Sequence, residues 1–208
     1  MTTPSASSAH EALVLAPDAQ ALLFTEARTA NAFTQEPVLD SQLQAIFALS
    51  KWPPTTANTN PLRWLIARSP AAKQRLDPLM AEGNREKTRS APLTVVLAAN
   101  IDFHEDIPRL IPVKPELRDY FAADAAAREV TARNNAWLQA GYFILAVRAA
   151  GLAAGPMLGF DAAGVDDEFF DGTSWRSILV VNIGKPAAEG AWFDRLPRLE
   201  YGEVTREV

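Results

Sequence analysis

Residues 123–150 read as one long helix stopped by Gly151, and its second half is apolar almost all round. Ala136, Trp137, Leu138, Ala140, Tyr142, Phe143, Ile144, Leu145 and Val147 leave little polar face. Such a helix has to be covered on several sides. A chain of 208 residues buries about 70% of the surface its unfolded form exposes, which suits one domain and hardly two. In a domain of that size a second copy can supply one wall of the helix, so the pattern points to a homodimer. The run is not a membrane span. Gln139 and Arg148 interrupt it, and Gly151, Gly155 and Pro156 break it, where a span needs about 20 nearly unbroken apolar residues.

The rest of the chain is arranged around that helix. Asp18 is placed to cap a first helix on which Ala21, Leu22, Phe24 and Ala27 form an apolar stripe on one face. Asp40 is placed to cap a second, with Leu43, Ile46, Phe47 and Leu49, ended by Pro53 and Pro54. RWLIAR then reads as a strand, and Ser69-Pro70 open a third helix through Met80. LTVVLAA, after Pro92, is apolar on both faces and reads as a central strand. Residues 102–120 hold Pro108, Pro112 and Pro115 with no period, and are expected as an irregular excursion. After the long helix, AAGPMLGF reads as a glycine-spaced turn, Asp161 as the cap of a short helix, and SILVVNIG as the last strand. Strands interleaved with helices give a mixed α/β or α+β layer fold. Residues 1–17 are expected to be a disordered tail and residues 18–208 the domain. The opening MTTPSASSAHEALVLAP has neither the basic start nor the apolar length of a secretory signal, which points to a soluble, cytoplasmic protein.

Composition removes whole classes of chemistry. There is no cysteine, so thiolate nucleophiles, Cys-ligated zinc and iron–sulfur clusters are excluded. Two histidines, His10 and His104, cannot build a multi-histidine metal site. His104-Glu105-Asp106 has the wrong spacing for one helical face and reads as a solvated loop. A net charge of −5 argues against a nucleic-acid partner. There is no G-x-G-x-x-G after a strand, no Walker loop and no G-x-S-x-G. An enzyme with so few reactive side chains would borrow a cofactor.

Four features carry more. The loop PPTTANTNP combines rigid prolines with hydroxyl and amide groups, suited to an uncharged polar ligand or to a plain helix–strand turn. Asn84 and Lys87 stand three apart and share a helical face. Arg28-Thr29 follows the first helix and Lys185 the last strand. If they converge with Lys87, these cations form a phosphate clamp, each bond worth about 1.5–3 kcal/mol. Pro156, Met157, Leu158 and Gly159 form a segment whose backbone a flat ligand could approach closely, or a tight turn.

In this order, the Arg28-Thr29 pair, PPTTANTNP, Gly83-Asn84 with Lys87, Ala91-Pro92, GLAAGPMLGF and Asn182-Ile183-Gly184-Lys185 resemble the flavin-dependent nitroreductase family, from about residue 22 to residue 199. LFTEARTANAF, ALSKWPPTTANTNP, GPMLGFD, VDDEFF and RLPRL are similar to its malonic semialdehyde reductase branch, which serves pyrimidine utilisation. The resemblance implies an α+β fold with a mixed sheet flanked by helices, completed by homodimerisation, with FMN at the interface. It assigns Arg28, Lys87 and Lys185 to the FMN phosphate, with Thr29 nearby and Asn84 near the ribityl chain or ring edge. Thr55, Asn58 and Asn60 would reach the flavin from the partner subunit. Pro156, Met157, Leu158 and Gly159 would line the ring, with a backbone N–H of Leu158 or Gly159 near N5.

The chain departs from many members of the family. Thr29-Ala30-Asn31 stands where they carry serine and a second arginine, Leu158 where they carry glutamate, and Asn60 where they carry glutamine. The chemistry implied is ping-pong hydride transfer from NADPH or NADH through FMN to malonic semialdehyde, giving 3-hydroxypropanoate. No side chain is assigned as catalytic. The substrate carboxylate calls for a cation, and Arg63, Arg109 and Lys114 are the candidates. A broad nitroaromatic or quinone reductase is the alternative acceptor chemistry, and a non-catalytic flavin-binding or sensing dimer the alternative class.

Overall fold

The computed structural model describes residues 13–208. Most of the tail expected over residues 1–17 therefore lies outside the described residues. The elements are α1 (Pro17–Gln20), α2 (Asp40–Ser50), β1 (Leu62–Ala67), α3 (Pro70–Leu76), α4 (Glu82–Ser90), β2 (Leu93–Asn100), α5 (Ile107–Leu110), α6 (Leu117–Ala122), α7 (Ala125–Ala149), β3 (Ala153–Met157), α8 (Ala162–Phe169), β4 (Trp175–Gly184) and α9 (Tyr201–Val204).

The four strands form one sheet in the order β1-β2-β4-β3. β2 is buried along its whole length, as its apolar run predicts. Alternation divides its side chains between two cores. Leu93, Val95, Leu97 and Ala99 meet α7 (Ala132, Ala136, Ala140, Phe143) and α2 (Leu43, Ile46) on one face. Val96 and Ala98 meet Leu76, Met80, Val165 and Phe170 on the other. Helices on both faces of a sheet give the expected α+β layering. The sheet is not mixed, however, because all three pairings are antiparallel. β2 and β3 do run the same way, joined across the sheet by α7, but β4 lies between them, so no parallel pair forms.

Three local expectations change. AAGPM is a strand, β3, rather than a turn. Gly155 lets it lie against the 28–34 segment, where a Cβ would stand 2.5 Å from the Ala30 carbonyl oxygen. Residues 102–120 are not irregular throughout: a 3-10 turn (Phe103–Asp106), α5 and the start of α6 fold there, too short to show a period. The first two helix caps move by one or two residues. Pro17 opens α1 after Ala16, with Asp18 in its first turn. Leu39 precedes α2, and the Gln42 side chain accepts the Leu39 N–H at 2.9 Å. Asp161 does cap α8, accepting from the Gly164 N–H, and Asp124 caps α7, accepting from the Ala127 N–H.

α7 is covered on one side only. Ala136, Ala140, Phe143 and Val147 are buried, while Trp137, Leu138 and Tyr142 stay about two-fifths exposed. Among the described residues no helix is long and apolar enough to cross a membrane.

Candidate functional site

The residues singled out in the sequence gather at two places, on opposite edges of the sheet. The first is the β3 edge. The 28–34 segment runs beside it: the Ala30 N–H donates to the Ala154 carbonyl, and the Thr34 N–H to that of Lys185. Phe33 makes an isolated bridge with Pro186. α4 lies across the same strands. Asn182 of β4, paired with Gly155 of β3, donates from Nδ2 to the Lys87 carbonyl at 3.1 Å. Its Oδ1 accepts from Thr94 at 2.8 Å. One turn earlier on α4, Asn84 donates from Nδ2 to the Gly159 carbonyl at 2.9 Å. The backbones of Arg28, Thr29, Asn84, Lys87, Pro156–Gly159 and Lys185 thus share one flank of the molecule.

Their side chains are differently engaged. Arg28 lies over the Trp192 ring, 5.7 Å from its centroid, and donates to the Phe193 carbonyl. Lys185 pairs with Glu36 at 2.7 Å, both exposed. Lys87 is half-buried and has no side-chain partner among the described residues. The backbone adds an open donor. Strand alternation turns Ala154, Pro156 and Leu158 to the free edge, where the Ala154 carbonyl accepts from the Ala30 N–H and proline has no N–H. The Leu158 N–H finds no acceptor among the described residues, and its side chain is 67% exposed.

The second place is the loop before β1. Ala57, Asn58 and Asn60 all have positive φ, near 45°. Asparagine tolerates that region, but alanine is strained there by about 1–2 kcal/mol. Two amides of α7, one turn apart, hold the loop. Asn135 accepts the Thr56 N–H at 2.7 Å and donates to the Thr131 carbonyl. Gln139 accepts the Leu62 N–H at 2.9 Å. Asn60 donates to the Asn58 carbonyl, and its own N–H reaches Thr55 Oγ1 at 3.3 Å. Asn135 and Gln139 were missed as site residues. Their spacing of four in an otherwise apolar helix is the signal that could have found them, because a buried amide needs partners.

Beside this loop is a cavity of about 440 Å³, its wall including Phe47, Ser50, Lys51, Arg63, Trp64 and Arg109. Asp106 bridges the two arginines, with Oδ2 2.8 Å from Arg63 and Oδ1 3.0 Å from Arg109. Arg63 also donates to the Asn60 carbonyl at 2.9 Å, so it braces the loop. Its pKa is lowered, first by burial and then by Arg109, while Asp106 works against the shift. Lys114 does not line the cavity. His104 is not solvated as expected but buried, and burial lowers its pKa. Among the described residues no group of three or more His, Asp or Glu side chains could hold a metal ion.

In one chain the two places do not meet. The loop leads into β1 and the Arg28–Lys185 corner lies at β3, and these are the two outer strands.

Known proteins agree with this architecture. The Nitroreductase family profile matches residues 25–185. A Streptomyces griseus protein carrying the provisional name NADH dehydrogenase/NAD(P)H nitroreductase is 55% identical over 196 residues, 94% of this chain and 99% of the relative. A Stenotrophomonas maltophilia protein of the same name is 47% identical, over 91% of this chain and 96% of the relative. Among solved structures, a nitroreductase-type protein from Exiguobacterium sibiricum in complex with FMN superposes with a TM-score of 0.79 at 16% identity, over 93% of this chain and 98% of the other. An NAD(P)H:FMN oxidoreductase-type protein from Staphylococcus epidermidis gives 0.80 at 17% identity, over 94% and 98%. With three-quarters of its length inside the family profile and relatives above 50% identity along nearly all of it, the chain belongs to the nitroreductase family.

Proposed function

We propose that the protein is an FMN-dependent NAD(P)H oxidoreductase that works as a homodimer. The observation that carries this reading is the unanswered donor set at the β3 edge. Lys87 offers a half-buried cation and Leu158 an open N–H, and Gly159 carries no side chain between them and Asn84, where a Cβ would stand 2.6 Å from the amide nitrogen. A ligand with an anionic end and a flat, acceptor-edged end fits such a set. FMN is one, and when bound it supplies the centre that takes hydride from NAD(P)H and passes it to an acceptor.

Arg28, Lys87 and Lys185 would hold the phosphate, with Thr29 beside them. Lys185 would exchange its exposed Glu36 for the stronger anion. Asn84 would support the ribityl chain or ring edge. Pro156, Met157, Leu158 and Gly159 would line the ring, the Leu158 N–H stabilising negative charge where it develops. Thr55, Asn58 and Asn60 would come from the second copy, which also covers Trp137, Leu138 and Tyr142 of α7.

The finer reading is that the acceptor is malonic semialdehyde, whose aldehyde carbon gains hydride and whose oxygen gains a proton to give 3-hydroxypropanoate. The sequence segments similar to that branch support it, as do the cations Arg63 and Arg109 around one cavity. Of the two arginines on the cavity wall, Arg109 keeps more donors for a carboxylate, because it spends one on Asp106 while Arg63 is committed to Asn60, Leu62 and Asp106. A second reading, a broad nitroaromatic or quinone reductase, is favoured by the exposed Leu158, which leaves the ring edge open and apolar.

The test is the absorption spectrum of the purified protein, followed anaerobically by NADPH or NADH and then malonic semialdehyde, a quinone or a nitroaromatic. The expected result is a bound flavin that bleaches with the nicotinamide and recovers with the aldehyde. Recovery only with the quinone or nitroaromatic selects the second reading. A protein that neither carries nor takes up FMN overturns both.

A further inference from the structure

The cavity beside β1 holds charge that the chain itself does not balance. Lys51, Arg63 and Arg109 line it against one carboxylate, Asp106. Both oxygens of that carboxylate are already used by the two arginines. Lys51 has no ion pair among the described residues, and its ammonium rests over the Trp52 ring, 4.9 Å from the centroid. Arg63 bears the consequence. It is largely buried, and burial together with Arg109 disfavours its charge by more than Asp106 restores.

An independent observation comes from Ser50, on the same wall. It is 3% exposed, and its Oγ is buried with no hydrogen-bond partner. A serine in the last turn of a helix usually bonds back to the carbonyl four residues earlier, and this one does not. Buried hydroxyls without partners are rare, because each costs about 1–3 kcal/mol. The remaining wall is Phe47, Leu62, Trp64 and Leu110 with the amides Asn60 and Gln139. Phe47 and Trp64 meet edge to face at 5.8 Å. The volume, about 440 Å³, is in the range of small-molecule sites.

We propose that this cavity is a binding site for a small carboxylate: Arg109 and Lys51 meet the anion, the Ser50 hydroxyl donates to it, and Phe47 and Trp64 cover its carbon body. A carboxylate suits it better than a phosphate because it can carry a short apolar body against the aromatic wall while its charge meets Lys51 and Arg109. Asn60 lines the cavity and carries the loop, so an occupant also presses on the segment that Arg63 braces. The site deepens the acid-acceptor reading above and rests on it for the natural ligand. Its existence is tested by binding alone, because every residue comes from one chain.

The experiment is calorimetric titration of the full-length protein as purified with sodium benzoate and sodium propanoate, with benzyl alcohol as the uncharged control. Both carboxylates are expected to bind at millimolar concentration or below, and the alcohol not to bind. Arg109→Gln should weaken binding about tenfold or more, the loss of one charge-assisted contact. Ser50→Ala should weaken it several-fold while leaving the melting temperature of the free protein unchanged or higher, since it removes an unpartnered hydroxyl. No heat from the wild type, or equal affinity in both variants, overturns the proposal. Flavin content and bleaching by NAD(P)H are read on the same samples. Carboxylate binding by a flavin-free protein keeps this site and removes the redox reading, whereas bleaching without carboxylate binding does the reverse.

Discussion

At the β3 edge the groups that face outward are a backbone donor and cations, and their places are fixed by close packing against bare glycine backbone. Gly155 and Gly184 are the means: a Cβ on the first would meet the Ala30 carbonyl at 2.5 Å, and on the second the Pro92 ring at 2.6 Å. At the β1 edge the polar groups answer one another. Thr56 N–H, Leu62 N–H, Asn60 and Arg63 all find partners within the chain, and strain at Ala57 is held by that network. One edge leaves a backbone donor and a cation unanswered, while at the other the loop's backbone donors Thr56 and Leu62 are answered and the loop is kept in an uncommon shape. In the proposed dimer, a site built from both edges would draw binding energy from the first and position from the second.

The sharpest way to break the β3 edge is to fill its close contact. Gly155→Ala should cost about 2–3 kcal/mol of stability, because a backbone carbonyl has little freedom to move aside. Thermal or urea unfolding measures it, and an unchanged midpoint would show that the 28–34 segment does not lie against β3. The matching break at the other edge is Asn135→Ala, which leaves the Thr56 N–H without its acceptor. Water reaches that exposed residue, so the loss should be smaller, about 1–2 kcal/mol. A larger loss than at Gly155 would invert the comparison.

Complementation tests whether the two edges belong to one site. Lys87→Ala should weaken FMN binding about tenfold or more, with little change in stability, and titration with flavin fluorescence reads it. Asn60→Ala should lower activity from the other edge. Where each variant alone is inactive at limiting FMN, unfolding and reassociating an equal mixture should return about a quarter of wild-type activity, since half the dimers carry one intact site of two. No recovery would place both edges in the same chain's site, or in none.

The edges were unequally legible in the sequence. β2 and β4 announce themselves because burial on both faces demands an unbroken apolar run. β3 does not: Ala153, Ala154, Gly155 and Pro156 are the composition of a turn, and only the contact with Ala30 explains why small residues stand in a strand. The short helices of residues 103–122 have too few turns to print a period. Gln139 reads as an interruption of an apolar helix and Asn135 gives no signal of its own, although both hold backbone N–H groups of the PPTTANTNP loop and of β1. Lys87 and Arg28 were legible as cations, but their common flank depends on α4 crossing β3 and β4, which spacing alone cannot express. The antiparallel sheet was hidden for a related reason, since the insertion of β4 between β2 and β3 is a long-range event.

The smallest expected effect concerns the ground next to the β1 edge. His104 is buried in the turn before α5, with Nδ1 unpartnered and Nε2 3.3 Å from Glu105. Its pKa is lowered, by burial first and by Arg128 next, against the pull of Glu105 and Asp102. A histidine held neutral in the fold binds fewer protons than it does unfolded, so stability rises with pH between the two pKa values. Its contribution is therefore present above the unfolded value, about 6.5, and is lost as pH falls from there toward the folded one. Urea unfolding of the wild type should show a lower midpoint at mildly acidic pH than above neutrality. His104→Gln should flatten that difference, because glutamine keeps a polar side chain and has nothing to titrate. A variant with the same pH dependence as the wild type would assign the slope to carboxylates elsewhere. Because Asp106, two residues on, joins Arg63 to Arg109, the flattened variant would also show whether this turn and the loop open together. If they do, its FMN retention at acidic pH should exceed that of the wild type.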